Sequence, residues 1–221
     1  LANSLISLHQ RILYSRSSYI SVGAKVLGWR RIYVGKNACI SSGTTILANR
    51  TDSGPACVRI EDNAFVGRNC FFSCGRMILI KDYALVAHGT MLIGASHDYD
   101  NILVPRTSAK IVDLGSVTVG VNVFLGAGSV VIGNVSIGYG SVVAAGSVVR
   151  HSIPPLCVYA GSPAKLVRYF DPESERWIKS AHLTRNESLL IDEASYLDAI
   201  THSHGNIYLP LSYSRFTYSD L

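Results

Sequence analysis

A histidine flanked by carboxylates stands out among the residues that could do chemistry. His97 is followed by Asp98 and Asp100, all within the polar stretch 93–117. Imidazole accepts or donates a proton near neutral pH, and a nearby carboxylate or carbonyl can fix which ring nitrogen carries the proton. The pattern fits general-base chemistry at His97, with Asp98, Asp100 and also His88 as candidate supporting groups, and it fits a solvated loop histidine equally well.

Composition restricts the class of protein that carries this histidine. The 221 residues are 48% hydrophobic and 16% charged, which excludes a disordered chain and a charge-rich coiled coil. A net charge of +5 suits an anionic small molecule and does not require nucleic acid. The five cysteines form no Cys-x-x-Cys pair, so we expect reduced thiols, a cytoplasmic location and no metal centre.

The stretch 114–149 contains no charged residue and no histidine. It is longer than the roughly 20 residues that a transmembrane helix needs. However, Gly, Ser and Asn recur in it at regular intervals, and Gly disfavours helices whereas the abundant Val favours strands. We therefore predict that this stretch is part of a solenoid wall and that the chain has no integral membrane segment.

An aliphatic residue opens a block of six throughout this stretch, and a small or slender residue takes the fifth place of the block. The opening residues are Val119, Leu125, Val131, Ile137, Val143 and Val149. The same period holds upstream at Val34, Ile40 and Ile46, at Ile60, Val66, Phe72 and Ile78, and at Ile80, Val86 and Leu92. A period of six predicts an all-β solenoid, a parallel β-helix with a buried aliphatic column and about six coils.

Breaks in the period divide the chain into four parts. Residues 1–18 have helical spacing and are expected to form a capping helix, and 19–153 form the β-helix, with 93–117 as a protruding loop. A closing segment covers 154–170. A C-terminal extension covers 171–221 and is predicted to be partly helical, with Asn186 as the helix cap.

Four segments resemble the left-handed β-helix hexapeptide acyltransferases, especially the galactoside, maltose and capsular-polysaccharide O-acetyltransferase branch. They are VGVNVFLGAG (119–128), VAAGSVV (143–149), IPP (153–155) and AGSPAK (160–165). The resemblance covers about two-thirds of the chain, 19–168. It implies a left-handed solenoid, a homotrimer, and acetyl-CoA as co-substrate between adjacent solenoids.

The same resemblance implies an O-acetyltransferase that acts on a hydroxyl of a sugar or surface polysaccharide. His97 occupies the position of the family's catalytic histidine, so direct attack on the thioester is expected, without a covalent enzyme intermediate. Backbone groups of Ala127 and Ala145 would meet the pantetheine arm. Ser73 would contact the acceptor, and Phe124 stands where many members have Trp and would contact the pantetheine arm or the acceptor. Cations in and before the closing segment would approach the CoA phosphates: Arg150, Lys165 and Arg168.

Three other functions stay open from the sequence. An amino sugar could replace the hydroxyl acceptor, which would make the chain an N-acetyltransferase. A metal hydratase of the γ-class carbonic anhydrase kind would need three histidine ligands, of which only His88 and His97 lie in the right region. A solenoid can also be a non-catalytic scaffold.

Overall fold

The computed structural model describes residues 18–48, 50–51, 54–55, 57–180 and 186–204. The predicted capping helix at 1–18 lies outside the described residues, apart from Ser18. Within the described part, short strands dominate, and helical turns occur at Trp29–Arg31, Arg106–Ser108 and Glu187–Leu189. The α-helix Glu193–His204 (α1) lies near the C-terminus.

The strands are numbered in chain order. They are β1 (Tyr19–Ile20), β2 (Lys25–Leu27), β3 (Ile32–Val34), β4 (Cys39–Ile40), β5 (Thr45–Ala48), β6 (Arg50–Thr51), β7 (Gly54–Pro55), β8 (Cys57–Ile60), β9 (Phe65–Val66), β10 (Phe71–Cys74), β11 (Met77–Ile80), β12 (Leu85–Val86), β13 (Met91–Ile93), β14 (Ala95–His97), β15 (Ile111–Asp113), β16 (Ser116–Val119), β17 (Phe124–Leu125), β18 (Val130–Ile132), β19 (Val135–Ile137), β20 (Val142–Val143), β21 (Val148–Val149), β22 (Cys157–Ala160), β23 (Lys165–Asp171) and β24 (Arg176–Lys179).

Three sheets form the walls of a parallel β-helix. Sheet 1 has nine strands in the order β1-β4-β9-β12-β17-β20-β22-β23-β24, and sheet 2 has six in the order β2-β5-β10-β13-β18-β21. Sheet 3 has five in the order β19-β16-β11-β8-β3. The first five coils each give one strand to each sheet, and the sixth gives β20 and β21 and reaches sheet 3 only through a single bridge between Ile153 and Ile137, so the solenoid has six coils. The predicted solenoid and its coil number are confirmed.

The aliphatic column predicted from the six-residue period fills the interior. Phe72, Ile78 and Leu92 have no exposed surface, and Ile137 and Val149 have 1% each. Alternation along each short strand turns these side chains inward and their neighbours outward. The core is therefore one continuous stack, to which each coil adds a layer that it could not bury alone.

The solenoid is closed at its C-terminal end by an antiparallel extension of sheet 1. Strand β22 pairs with β23, and β23 pairs with β24. Tyr169 of β23 is 3% exposed and packs against the last layer of the core. The extension thus covers the apolar end of the stack.

Helix α1 docks on the corner between sheets 3 and 1. The Glu193 carboxylate accepts a hydrogen bond from the Val121 N–H at 3.0 Å and pairs with Lys81. The Tyr196 hydroxyl accepts a hydrogen bond from Asn122 Nδ2 at 2.8 Å, and its ring packs against that of Tyr139 with centroids 4.8 Å apart and a tilt of 38°.

The predicted helical extension is confirmed, but its helix starts later than Asn186. Asn186 accepts the Ser188 N–H and caps the short turn Glu187–Leu189, after which the backbone is extended at Leu190. Asp192 caps α1 by accepting the Ser195 N–H at 3.0 Å, and this bond lowers the pKa of the Asp192 carboxyl. Asn186 and Asp192 are both typical N-cap residues, and each caps the helical segment that directly follows it.

Across the described residues, no helix has the length and apolar character needed to cross a membrane.

A substitution in the stacked core tests this architecture. Ile46 has no exposed surface, whereas Leu47 on the same strand faces outward and is half-buried. Ile46→Ala should lower the free energy of unfolding by about 2–5 kcal/mol, because it leaves a cavity between two layers. Leu47→Ala is the matched control and should cost clearly less in the same urea titration; equal losses would contradict the assigned faces.

Candidate functional site

His97 lies on a hairpin that protrudes from the solenoid, which we call the His97 hairpin (95–113). The hairpin leaves the coil at the corner between sheets 2 and 3, directly after β13. Its strands β14 and β15 pair antiparallel, with His97 opposite Ile111. The side chain of His97 is exposed, so a substrate can reach it from solvent.

The hairpin fixes the protonation pattern of the His97 ring. Nδ1 lies 3.1 Å from the carbonyl oxygen of Ala109. A carbonyl oxygen only accepts hydrogen bonds, so in this contact Nδ1 carries the proton. In the neutral ring Nε2 then holds the lone pair, which is the form that a general base requires.

The two carboxylates next to His97 organise the loop itself. Asp98 Oδ1 accepts the Asp100 N–H at 3.0 Å, and the Asp98 N–H donates to the Lys110 carbonyl at 3.0 Å. The contact at His97 Nδ1 comes from a main-chain carbonyl, which side-chain patterns in the sequence do not reveal. A supporting role for Asp98 or Asp100 in catalysis stays a prediction.

A buried carboxylate anchors the root of the hairpin. The Asp113 side chain is 2% exposed; it accepts the Gly115 N–H at 2.6 Å and pairs with Arg76 Nε at 3.0 Å. The hairpin re-enters the coil where Leu114 N–H donates to Gly94 O at 2.9 Å. Sequence reasoning missed Asp113 and Arg76, although an Asp two residues before a Gly is typical of such a local bond.

Ser73 lies one coil away from this root. It is aligned with Ile93 in sheet 2, and its carbonyl accepts the Gly94 N–H at 2.7 Å. The structure therefore places Ser73 next to the root of the His97 hairpin, on the adjacent coil.

His88, Ala127 and Ala145 form a separate column at the corner between sheets 1 and 2. The Gly128 N–H donates to the His88 carbonyl and the Gly146 N–H to the Ala127 carbonyl, both at 2.9 Å. All three residues of the column are exposed. They thus line one straight edge of the solenoid.

His88 and His97 are not brought together in one chain. His88 precedes β13, whereas His97 follows it, so the width of sheet 2 separates them. His88 Nδ1 accepts the Arg68 N–H at 2.8 Å, which places the ring proton of neutral His88 on Nε2. Its tautomer is the opposite of the His97 tautomer.

The remaining predicted residues lie in two places. Arg150 is exposed and follows β21 at the same corner as the His97 hairpin. Phe124 is 41% exposed on the outer face of sheet 1, and Lys165 and Arg168 are exposed on β23 of that sheet. One chain thus presents the predicted residues along two corners and one face, without a common pocket.

A cavity of about 330 Å³ under α1 contains none of these residues. Glu61, Lys81, Asp82 and Glu193 contribute to its lining. Burial raises the pKa of the Asp82 carboxyl, and Lys81 is paired with Glu193. This cavity lies between helix α1 and the coils on which the helix packs.

The cysteines are free thiols, and four of the five are buried. Burial raises the pKa of Cys74 to about 12, so this thiol is protonated at neutral pH. Its Sγ donates to the Cys57 carbonyl at 3.2 Å. Among the described residues, no group of three His, Cys, Asp or Glu side chains could hold a metal ion.

Removal of the root carboxylate tests how the His97 hairpin is held. Asp113→Ala should lower the free energy of unfolding by about 1–3 kcal/mol, because the Gly115 N–H loses its partner and Arg76 its counter-charge. Asp100→Ala is the control, since Asp100 is exposed and its recorded bond uses only its main chain. Denaturant unfolding measures both. Wild-type stability of Asp113→Ala would show that the anchor is dispensable.

Comparisons with known proteins agree with the repeat and the fold. A family model described as the hexapeptide repeat of succinyl-transferase matches residues 116–150. No curated protein matches the sequence.

Solved structures resemble the chain over most of its length. The N-acyltransferase AntD from Bacillus cereus, in complex with dTDP and 3-hydroxybutyryl-CoA, has 21% identity and a TM-score of 0.61, covering 89% of this chain and 96% of AntD. A maltose O-acetyltransferase from Clostridium difficile 630 has 23% identity and a TM-score of 0.51, covering 74% of this chain and 73% of its own. A putative acetyltransferase from Bacillus cereus has 21% identity and a TM-score of 0.52, covering 73% and 80%.

The resemblance inferred from the four sequence segments is confirmed at the level of the repeat and the fold. The chain carries the hexapeptide repeat and has the fold of acyltransferases of the left-handed β-helix family.

Proposed function

We propose that this chain is an acetyl-CoA-dependent O-acetyltransferase that acts on a hydroxyl of a sugar or surface polysaccharide. One observation carries the proposal: the exposed His97 ring has Nδ1 at 3.1 Å from the Ala109 carbonyl, which leaves Nε2 as its base. The fold, shared with acyl- and acetyltransferases, supports the reaction class.

The proposed step is a direct transfer. The acceptor oxygen attacks the thioester carbonyl carbon while His97 Nε2 takes the hydroxyl proton. The Ala109 carbonyl stabilises the imidazolium that forms, because Nδ1–H continues to donate to it. The carbon–sulfur bond then breaks, and the departing thiolate of CoA takes the proton from Nε2. The acetyl group has moved, and His97 is neutral again.

The donor is proposed to lie along the corner that carries Ala127 and Ala145. These small exposed side chains leave the main chain accessible to a pantetheine arm, and AntD, which shares the fold, is known in complex with CoA and with 3-hydroxybutyryl-CoA. Three exposed cations are proposed to approach the phosphates: Arg150, Lys165 and Arg168. No metal is part of the proposed chemistry.

A homotrimer is proposed as the catalytic form. His97 and the corner of Ala127 and Ala145 are separated by the width of sheet 2, so one chain does not supply both halves of the site. Leu85 and Met91 are 41% and 43% exposed on sheets 1 and 2, which suits packing against a neighbouring copy. A reducing, cytoplasmic location is also proposed, and the five free thiols fit it.

Transfer to an amino sugar is the second candidate. AntD is an N-acyltransferase, and another of its structures contains dTDP-4-amino-4,6-dideoxyglucose. A neutral amine attacks a thioester without prior loss of a proton, so it depends less on a base than a hydroxyl does. Parallel assays with hydroxyl and amino acceptors would distinguish the two functions.

The His97 assignment is tested by turnover. His97→Ala should reduce acetyl transfer to a sugar hydroxyl by about a hundredfold or more, the scale of a lost general base, while acetyl-CoA binding persists. His202→Ala is the matched control, because His202 is an exposed histidine on α1. Steady-state kinetics and calorimetric titration give the two readouts. Turnover near the wild-type rate in His97→Ala would remove His97 from the mechanism.

The assembly is tested by sedimentation equilibrium. The wild-type chain should sediment with three times the 23.9 kDa mass of one chain. Leu85→Glu should dissociate the trimer, because a charge would be buried between subunits. Ser136→Glu on the exposed face of sheet 3 is the control and should stay trimeric. A monomeric wild-type protein that is fully active would contradict the proposed assembly.

A further inference from the structure

The terminal hairpin β23–β24 places two cations directly opposite each other. Arg168 and Lys179 are cross-strand partners, and both side chains are exposed. Partners in antiparallel strands have Cβ atoms about 5 Å apart, and like charges there repel each other. Within the described part of the chain, no carboxylate is recorded in an ion pair with either residue. The pair costs stability unless an anion binds between the two charges.

Two aromatic rings lie beside the cations on the same face of this hairpin. Tyr169 points into the core at 3% exposure, so alternation turns Arg168 and Phe170 to the outer face. Trp177 is opposite Phe170, with ring centroids 5.7 Å apart and an edge-to-face angle of 69°. Trp177 remains 41% exposed, so part of its indole ring is open to a ligand.

The cations end a row of outward side chains that starts near the proposed donor site. In sheet 1, Phe124 is in register with Val142, and Val142 with Val158. Val158 is in register with Arg168, and Arg168 with Lys179. At roughly 4.8 Å per strand, the cations lie about 14 to 19 Å from Phe124. The row thus runs from apolar side chains to positive charge.

We propose that Lys179 and Trp177 bind the nucleotide end of CoA together with Arg168. The ligand is an extended molecule with an uncharged arm at one end and a phosphorylated adenine nucleotide at the other, in the same order as the row. Arg168 and Lys179 hold a phosphate by charge-assisted hydrogen bonds, and the exposed indole of Trp177 stacks on adenine. Lys179 and Trp177 lie beyond the segment 19–168 that carries the sequence resemblance. The inference rests on the proposed function, because it takes CoA as the ligand.

Binding of CoA and of adenosine 3′,5′-bisphosphate to the full chain tests the inference. Lys179→Gln should raise the Kd of both ligands about tenfold, since a charged hydrogen bond is lost. Lys179→Arg should keep most of the affinity. Arg176→Gln is the matched control, because it removes the same charge from the same strand but on the other face, opposite Asp171. It should bind like the wild type.

Trp177 supplies a spectroscopic readout. The chain has two tryptophans, so Trp29→Phe leaves Trp177 as the single tryptophan, which can be excited selectively beside the tyrosines. Stacked adenine should quench its emission, and Trp177→Ala should weaken binding of the bisphosphate about tenfold. Trp177→Phe keeps an aromatic partner for Phe170 and a smaller ring for adenine, so it shows how much of the Trp177→Ala effect comes from loss of the aromatic ring. Its affinity for the bisphosphate should lie between those of the wild type and Trp177→Ala.

A donor without the nucleotide shows whether Lys179→Gln acts by losing contact with the CoA phosphates or by disturbing the structure of the chain. With S-acetylpantetheine as donor, Lys179→Gln should turn over like the wild type, whereas with acetyl-CoA its KM should rise. If the wild type binds CoA but Lys179→Gln and Trp177→Ala bind it equally well, the inference is wrong and the proposed function stands. If the wild type binds neither CoA nor the bisphosphate, both are wrong.

Discussion

Hydrogen bonds between successive coils hold each coil, and the proposed site residues that it carries, at a fixed height in the solenoid. One row of these bonds crosses the corner between sheets 1 and 2: Gly67 N–H to Val86 O at 2.8 Å, Ala87 N–H to Leu125 O at 2.9 Å, and Gly126 N–H to Val143 O at 2.7 Å. A coil cannot satisfy these donors by itself, because its own strands point in three directions. The height of Ala127 or Ala145 therefore depends on the neighbouring coils as well as on its own coil.

The corner also contains buried hydroxyls that join neighbouring coils. Thr44 Oγ1 donates to the Gly67 carbonyl at 2.7 Å and accepts the Cys70 N–H at 3.2 Å, with no exposed surface on Thr44. Ser147 Oγ accepts the Gly161 N–H at 3.1 Å near the other end of the stack. Small polar side chains at these places satisfy turn donors without widening the corner. These bonds account for the small polar residues at the two places, whereas the buried Ser129 Oγ in the same corner has no hydrogen-bond partner among the described residues.

The six-residue period is sufficient to predict the three walls of the solenoid, because it marks the side chains that point into the interior. Every predicted block opener upstream of the His97 hairpin is fully buried, including Phe72, the one that is not aliphatic. The contacts of the His97 hairpin are not marked by the six-residue period. The partner of His97 Nδ1 is the Ala109 carbonyl, a main-chain atom brought close by the pairing of β14 with β15. Such a contact depends on loop geometry, and side-chain types alone do not encode it.

The C-terminal part of the chain is predicted less completely from the sequence, for similar reasons. Asn186 and Asp192 both precede serines, and only the packing of α1 on the coil decides which of them starts the helix. The antiparallel pair β23–β24 has no six-residue period, since it covers the stack and is not part of it. The juxtaposition of Arg168 with Lys179 is a consequence of that pairing and is visible only in three dimensions.

The root of the His97 hairpin makes the insertion almost self-contained. The chain leaves at Gly94 and returns at Leu114, whose N–H bonds the Gly94 carbonyl at 2.9 Å, so the coil above and below continues in register. Contact at the root is close, since a Cβ on Gly75 would lie 1.7 Å from the Gly94 oxygen. Loop length beyond such a closed root costs little entropy. The solenoid can thus carry segments of different length between the two hairpin strands while the register of the coils above and below stays unchanged.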